Sequence, residues 1–404
     1  MSTIFIQIAS YRDPELVPTI RDCLSKAAYP ENLRFGICRQ YDPNDGFDNL
    51  DEWRSDSRFQ IQDVLGTESG GMCWARASIQ GMYNNETYTM QLDSHHRFAQ
   101  NWDTHLIKDL ELTGSSKPLI TGYLGGYNAG SPPPIPEPYA ATQIIPRRFA
   151  PPGTVSFGTM PIDESVPRLA RFVSGHFFFT LGQHCRDYAY DPELYFAGDE
   201  ISLSIRSYTL GYDLYHPAKF VVWHEYQTYP RPKHWQDHQT RQTGRTWYER
   251  DTYSKQRVRQ LLQEEDCGID LGRYGLGQAR SHRQYEDYAG FNFAKKLIHP
   301  DALSGSKPPT TVSDDSEWTK DLYQHSPDLK PMIDHLDNDQ VQEYRLHYRY
   351  NDNVLNTKTF PKYEFVHQLS YWTHVSFYSE LRPNNIQTQA ISRDGSVQEH
   401  ITQL

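Results

Sequence analysis

The chain has 404 residues, 37% of them hydrophobic, enough for one large core or two smaller ones, so a main domain with an appended module is expected. A formal net charge of −11 excludes general affinity for nucleic acid, which needs a basic face to displace counterions. No run approaches the roughly 18 apolar residues of a membrane helix; with five widely spaced cysteines, no CxxC pair and no legible secretory leader, a cytoplasmic protein with reduced thiols and no membrane span is expected.

The first apolar run, TIFIQIAS (3–10), stops at the polar loop YRDPEL, and a helical pattern follows through Leu16, Ile20, Cys23, Leu24 and Ala27. LRFGICRQY (33–41) and FQIQDVL (59–65) repeat the strand signal, and GGMCWARASIQGMY (70–83) reads as a loop opening into a helix. TYTMQLD (87–93) is a fourth strand, and FAQNWDTHLIKDLEL the next helix. Strands alternating with helices at these lengths imply an α/β domain whose mostly parallel sheet is covered on both faces. Between 128 and 161 the prolines of NAGSPPPIPEP and PRRFAPPGT forbid helix and central strand, so a long surface excursion is expected beside the cleft. Regular structure returns in RFVSGHFFFT (171–180), in YFAGDEISLSIRSYTLGYDLYHP and in KFVVWHEY (219–226), and TYSKQRVRQLLQ looks helical.

LSGSKPPTTVSDDSE combines Gly, Ser, Pro and acidic residues without periodicity and reads as a linker. Beyond it, QEYRLHYRYND, YEFVHQLSYWTHVSFYSEL and NNIQTQAIS alternate polar with apolar residues, the period of antiparallel strands. The expected domains are therefore 1–302 (α/β), 303–317 (linker) and 318–404 (a small all-β module).

In such sheets ligands sit outside the carboxyl ends of the strands, where LDSHH (92–96) lies. Asp93 and His95, two apart on extended chain, project to one side, and Ser94 and His96 to the other. A D-x-H triplet alone is more often a capped turn. With His224 at the end of FVVWH as a third ligand, however, the set suits a divalent cation such as Mn²⁺ or Mg²⁺, a nucleotide diphosphate filling the remaining positions. Asp199 and Glu200 open a helical stretch and are the candidate catalytic acids. Arg231, Lys233, His234 and Arg245 lie in a polar segment that reads as a lid able to meet a diphosphate.

Six stretches, IASYRDPEL, WARASIQGMY, QLDSHHRF, YDPELYFAGDEISLSIRSYTLGYDLYHP, VVWHEY and RYGLGQARSHRQYEDYAGFNF, together resemble glycosyltransferase family 60, enzymes that use UDP-GlcNAc to modify hydroxyproline on cytoplasmic proteins. Their order is distantly similar to the mucin-type polypeptide GalNAc-transferases, and the resemblance covers roughly residues 3 to 293. It implies a GT-A fold for 1–302 and metal ligation by Asp93, His95 and His224. It also implies donor contacts from Ala9, Ser10, Tyr11, Arg12, Arg76 and Asp93, with Gly71 permitting close backbone approach and Gly175 and His176 beside the sugar. Asp199 falls on the acidic residue of a GGE or GEE motif, with Asp where Glu is usual. The activity so implied is retaining, metal-dependent transfer of GlcNAc or a related hexose from a UDP-sugar to a hydroxyl of a protein or peptide. A glycan or small-molecule acceptor is the alternative, and the β module is expected to hold the acceptor or to form a homodimer. A metal-dependent phosphoester hydrolase is the competing enzyme class, disfavoured because paired H-x-D or HD motifs are missing. A carbohydrate-binding protein on a decayed transferase domain would have lost a ligand or acid, and none of Asp93, His95, Asp199 and His224 is missing.

Overall fold

The computed structural model describes residues 2–131, 134, 136–150, 154–227, 231–239, 244–310, 323–325, 336–362, 375–377 and 383–404. The four expected strands are β1 (Ile4–Tyr11), β2 (Leu33–Tyr41), β3 (Phe59–Leu65) and β4 (Tyr88–Leu92), all parallel to one another. They are followed by β5 (His96–Phe98), β6 (Pro118–Thr121) and β7 (Gly125–Tyr127). The eight-stranded main sheet runs Arg168–Leu169, Asp213–His216, β6, Phe177–Leu181, β4, β1, β2, β3. Only Arg168–Leu169 and Phe177–Leu181 oppose the other strands, so the sheet is mixed but mostly parallel.

Alternation along β1 explains its two-sided cover. Ile4, Ile6 and Ile8 pack with Leu16 and Ile20 of α1 (Leu16–Lys26) and with Trp102 and Leu106 of α3 (Trp102–Leu112). Phe5 turns to the other face, against Ala75 and Ile79 of α2 (Met72–Gln80). Beside it the Asp199–Thr209 helix buries Ile201, Leu203 and Ile205 against Phe178 and Leu214 of the sheet. Asp103 ties the two layers of the first face, accepting from the backbone of Ala28 at 2.8 Å and Tyr29 at 2.9 Å.

The proline-rich excursion contains more order than its composition implies. Thr142–Ala150 and Thr154–Pro161 pair as an antiparallel ribbon outside the main sheet, and Pro146 sits opposite Phe157 where the register slips between Ser156 and Phe157. A bulge removes the need for an N–H that proline lacks, which is how a strand tolerates it. A separate three-stranded sheet, β5, Val222–Glu225 and β7, sets His224 directly opposite His96 and Gly126.

The packed chain continues beyond the expected boundary at 302. Ala302 is in the core, Arg171 donates to Ser306 O at 3.0 Å, and Thr310 N donates to Asp287 O at 3.2 Å. Residues 303–310 therefore pack with the α/β domain, because the buried Arg171, the half-buried Arg168 and a helix end need their carbonyls and N–H groups. The rest of the expected linker, 311–317, lies outside the described residues, as does most of YEFVHQLSYWTHVSFYSEL (363–381) apart from Val375–Phe377. Among the described residues of the C-terminal region the regular structure is β, with a four-stranded antiparallel sheet in the order Asn353–Pro361, Val341–Tyr350, Asn385–Ser392, Val397–Gln403. Tyr344, Leu346 and Tyr348 alternate into its core with Ile386 and Ala390, as the period-2 pattern requires. Among the described residues no helix is long and apolar enough to cross a membrane.

Candidate active site

Three chain segments meet at one edge of the main sheet. In the register of β1 and β4, Ile8 lies beside Leu92, so the loop after Tyr11 and the residue after Leu92 emerge together. The antiparallel strand that begins at Phe177 opposite Leu92 brings Gly175 and His176 to the same edge. Asp93 is therefore surrounded by segments distant in sequence.

Asp93 Oδ2 lies 3.4 Å from His224 Nε2 and 3.9 Å from His95 Nε2. One ligand atom from each of Asp93, His95 and His224 falls within 4.8 Å of the others. Burial opposes the charge of Asp93, but His224, Arg76 and His95 together hold its carboxyl well below the usual range. The other ring nitrogen of His95, Nδ1, sits 2.7 Å from Asp13 Oδ2, which also accepts from Ser94 Oγ at 2.7 Å and Arg231 Nη1 at 2.9 Å. Asp13 is nearly buried; desolvation opposes its ionisation, and His95 and Arg231 overcome it, so its pKa is depressed. A carboxylate on the far nitrogen of a ligand histidine fixes its tautomer and strengthens it as a donor. One carboxylate and two imidazoles with such an outer partner fit a borderline-hard divalent ion that keeps open positions. Asp13 escaped the sequence analysis, although it directly follows the quoted ASYR; its signal is an acid at the exit of a central parallel strand.

Arg76 is the charge bridge beneath. It is 1% exposed, donates through Nη2 to Asp93 Oδ1 at 3.2 Å and Gly175 O at 2.6 Å, and through Nη1 to Asp199 Oδ2. Its forked guanidinium thus spans both acids. Gly175 is required here, because a Cβ would lie 2.9 Å from Asp199 Oδ2. Glu200 accepts from Gly175 N at 3.0 Å and from the hydroxyl of Tyr123, and burial pushes its carboxyl up to about 7. Burial also raises Asp199, against the pull of Arg76.

Two adjoining cavities share Met72, Asp93 and Phe196. The first, about 350 Å³, is lined by Ala9, Tyr11, Gly71, Arg231, Lys233 and His234 among others. The second, about 360 Å³, is walled by Arg76, Gly175, His176, Asp199, Glu200 and the ribbon residue Phe157. Gly71 closes the N-terminal end of α2 at φ +108°, a conformation glycine tolerates and side chains resist.

The structure brings most of the candidate residues to these cavities and leaves some out. Neither Ser10 nor Arg12 lines a cavity: Ser10 is wholly buried, and Arg12 is held by Asp45 Oδ2 at 2.6 Å and Asp237 Oδ2 at 3.0 Å. Arg245 is at the surface, 3.2 Å from Glu193, away from the cavity that its lid neighbours enclose. The His234–Asp237 helix closes over the first cavity. Asp237 accepts from Tyr11 Oη at 2.6 Å, and Tyr195 Oη lies 2.6 Å from His234 Nδ1 and 3.1 Å from His238 Nδ1. Residues 228–230 and 240–243 of the expected lid lie outside the described residues. His96 does not turn away from the ligand trio: its ring is buried beneath it, 5.0 Å from that of His224.

The model of the family described as Glycosyltransferase (GlcNAc) matches residues 3–60 and 49–295. Among solved structures, GalNAc-T7 with UDP, GalNAc and Mn2+ aligns with TM-score 0.51 at 13% identity, covering 100% of this chain and 72% of that one, which places both chains in one fold. S. aureus TarS 1-349 aligns at TM-score 0.39 and 10% identity over 55% of this chain and 60% of that one. Its complex with UDP-GlcNAc aligns at 0.37 and 10% over 57% and 60%. No curated protein matches the chain.

Replacing Arg76 with Met should cost about 3–5 kcal/mol of stability in denaturant unfolding, because the buried Asp199 and the half-buried Asp93 lose their shared cation. A loss below about 1 kcal/mol contradicts the bridge. Glu200 supplies a pH test. Its native pKa of about 7 exceeds its ordinary value of 4.5, so the native state holds the extra proton and stability falls as pH rises between those values. Glu200→Gln should remove that slope, its stability relative to the native sequence rising between pH 5 and 7.5; parallel curves refute the assignment.

Proposed function

The chain belongs to the GlcNAc glycosyltransferase family, and from that premise we propose that it transfers N-acetylglucosamine from UDP-GlcNAc to an acceptor hydroxyl with the help of a divalent cation. The observation that carries this reading is the convergence of Asp93, His95 and His224 at the mouth of the first cavity, where one end of α2 and two lid cations also face. The ligand GalNAc-T7 was solved with, UDP with Mn2+, agrees with it.

The first cavity takes the uridine diphosphate. Ala9 and Tyr11 form its floor, the N-terminus of α2 behind Gly71 offers backbone N–H groups to phosphate oxygens, and Arg231 and Lys233 lie over them. A cation held by Asp93, His95 and His224 would act as a Lewis acid toward the departing diphosphate. Asp13 keeps His95 presenting Nε2, and the closed lid excludes water that would otherwise hydrolyse the donor. The second cavity takes the sugar: Gly175 allows close approach, and Asp199, pinned by Arg76, and Glu200, bonded to Tyr123, offer acceptors for its hydroxyls.

Both acids of the second cavity are committed to protein donors, which favours retention, with the leaving diphosphate oxygen taking the acceptor proton on the same face. Asp199 and Glu200 are then positioning groups for donor and transition state. The region from 318 to 404 is an accessory module for acceptor binding or dimerisation, and 1–310 the catalytic domain. Protein hydroxyproline, the substrate type of the family 60 enzymes that the six motifs resemble, is the first acceptor to test. Five unpaired cysteines support a reducing, cytoplasmic setting.

With UDP-GlcNAc, the full chain should release UDP when Mn²⁺ is present and stop when it is chelated, and Asp93→Ala and His224→Ala should each abolish release. The first-formed glycoside should be the α anomer by its small anomeric proton coupling. Metal-independent release, or activity kept in both variants, contradicts the metal reading; a β-linked product contradicts retention.

A further inference from the structure

Four imidazoles are packed around Asp93: those of His95, His96, His176 and His224. Five of their eight nitrogens have hydrogen-bond partners, and a sixth, His95 Nε2, lies 3.9 Å from Asp93 Oδ2. Both nitrogens of His95 face carboxylates, Asp13 and Asp93. His176 Nδ1 lies 2.9 Å from Ser174 Oγ and its Nε2 accepts from Leu124 N at 3.3 Å. His224 Nε2 faces Asp93, and His96 Nδ1 lies 3.1 Å from the backbone oxygen of Asp93. The two that remain, His96 Nε2 and His224 Nδ1, are both buried without a hydrogen-bond partner. They are on the rings of directly opposed residues in an antiparallel pair, with centroids 5.0 Å apart.

The tautomers are complementary. A carbonyl oxygen only accepts, so His96 Nδ1 must carry the proton and Nε2 of the neutral ring keeps its lone pair. His224 presents Nε2 toward Asp93 and, in the metal reading, gives that lone pair to the cation, so its proton is on Nδ1. A buried donor and a buried acceptor left over on neighbouring rings, tilted 60° with centroids 5.0 Å apart, can satisfy each other by a rotation or through one water, and leaving both unmade is costly. We propose that His96 is a positioning residue for the metal site, in which His224 Nδ1–H donates to His96 Nε2 and His96 Nδ1–H donates to the Asp93 carbonyl. One side chain then ties two of the three metal ligands together, as Asp13 does for the third. The relay rests on the metal reading of Asp93, His95 and His224.

The test titrates Mn²⁺ into the full chain with UDP by calorimetry, for the native sequence, His96→Phe and His96→Gln. His96→Phe keeps a ring of similar bulk without the acceptor and should weaken Mn²⁺ by about 10- to 100-fold. His96→Gln, whose amide oxygen accepts near the place of Nε2, should restore most of the affinity. Nitrogen NMR of ¹⁵N-histidine in the metal-free native chain should find His96 protonated at Nδ1 and unprotonated at Nε2. Unchanged affinity in a folded His96→Phe chain, equal losses in both variants, or a proton on His96 Nε2 overturns the relay. If the native chain binds no Mn²⁺, the metal reading fails and the relay with it, and the His96 tautomer then reports only the bond from its Nδ1–H to the Asp93 carbonyl.

Discussion

The site depends on Asp93 remaining an ionised carboxylate at the exit of a buried strand. Burial alone would protonate it, and a neutral acid could hold neither the two histidines in place nor a cation. The fold prevents this with Arg76 on Oδ1 and His224 beside Oδ2. Because Arg76 also binds Asp199, the acid at the first cavity and the acid deep in the second share one fixed cation, and neither can move alone. In the proposed reaction this would set the donor geometry before any ligand arrives, as preorganisation requires.

Topology delivers the rest. The parallel register of β1 with β4 sets Asp13 near His95, and the antiparallel strand inside the sheet, Phe177–Leu181, carries Gly175 and His176 to the same edge. His224 reaches the site by a different route, pairing with β5 in the small three-stranded sheet, so the third member of the trio is placed by a strand pairing 128 residues apart in sequence, from His96 to His224. The His234–Asp237 helix is tied to the same edge through Tyr11 and Tyr195, next to the first cavity.

Much of this is legible in the chain. The apolar runs of β1 to β4 and the helix after Gly71 follow from periodicity, and the D-x-H triplet with a later strand-end histidine marks three residues that the fold brings together. The parts that escape are those decided by distant partners. Nothing local distinguishes Asp13 from a capping residue, since its role comes from His95 across a neighbouring strand. Alternation along an extended segment turns His96 away from His95, but β5 twists into a new sheet and places it under His224. Arg12 and Arg245 have the charge a diphosphate needs, yet three carboxylates, Asp42, Asp45 and Asp237, surround one and Glu193 holds the other at the surface. Composition likewise hides the ribbon at 142–161, because a bulge excuses its proline, and the Gly, Ser and Pro content of 303–310 hides its docking to Arg168 and Arg171.

The most direct test of metal-assisted donor binding is anomalous diffraction at the manganese edge from crystals of the full chain grown with UDP and Mn²⁺. The account predicts one strong peak within bonding distance of an Asp93 carboxylate oxygen, His95 Nε2 and His224 Nε2, with the diphosphate completing the coordination. UDP seated in the cavity with no ion on those three residues would contradict it.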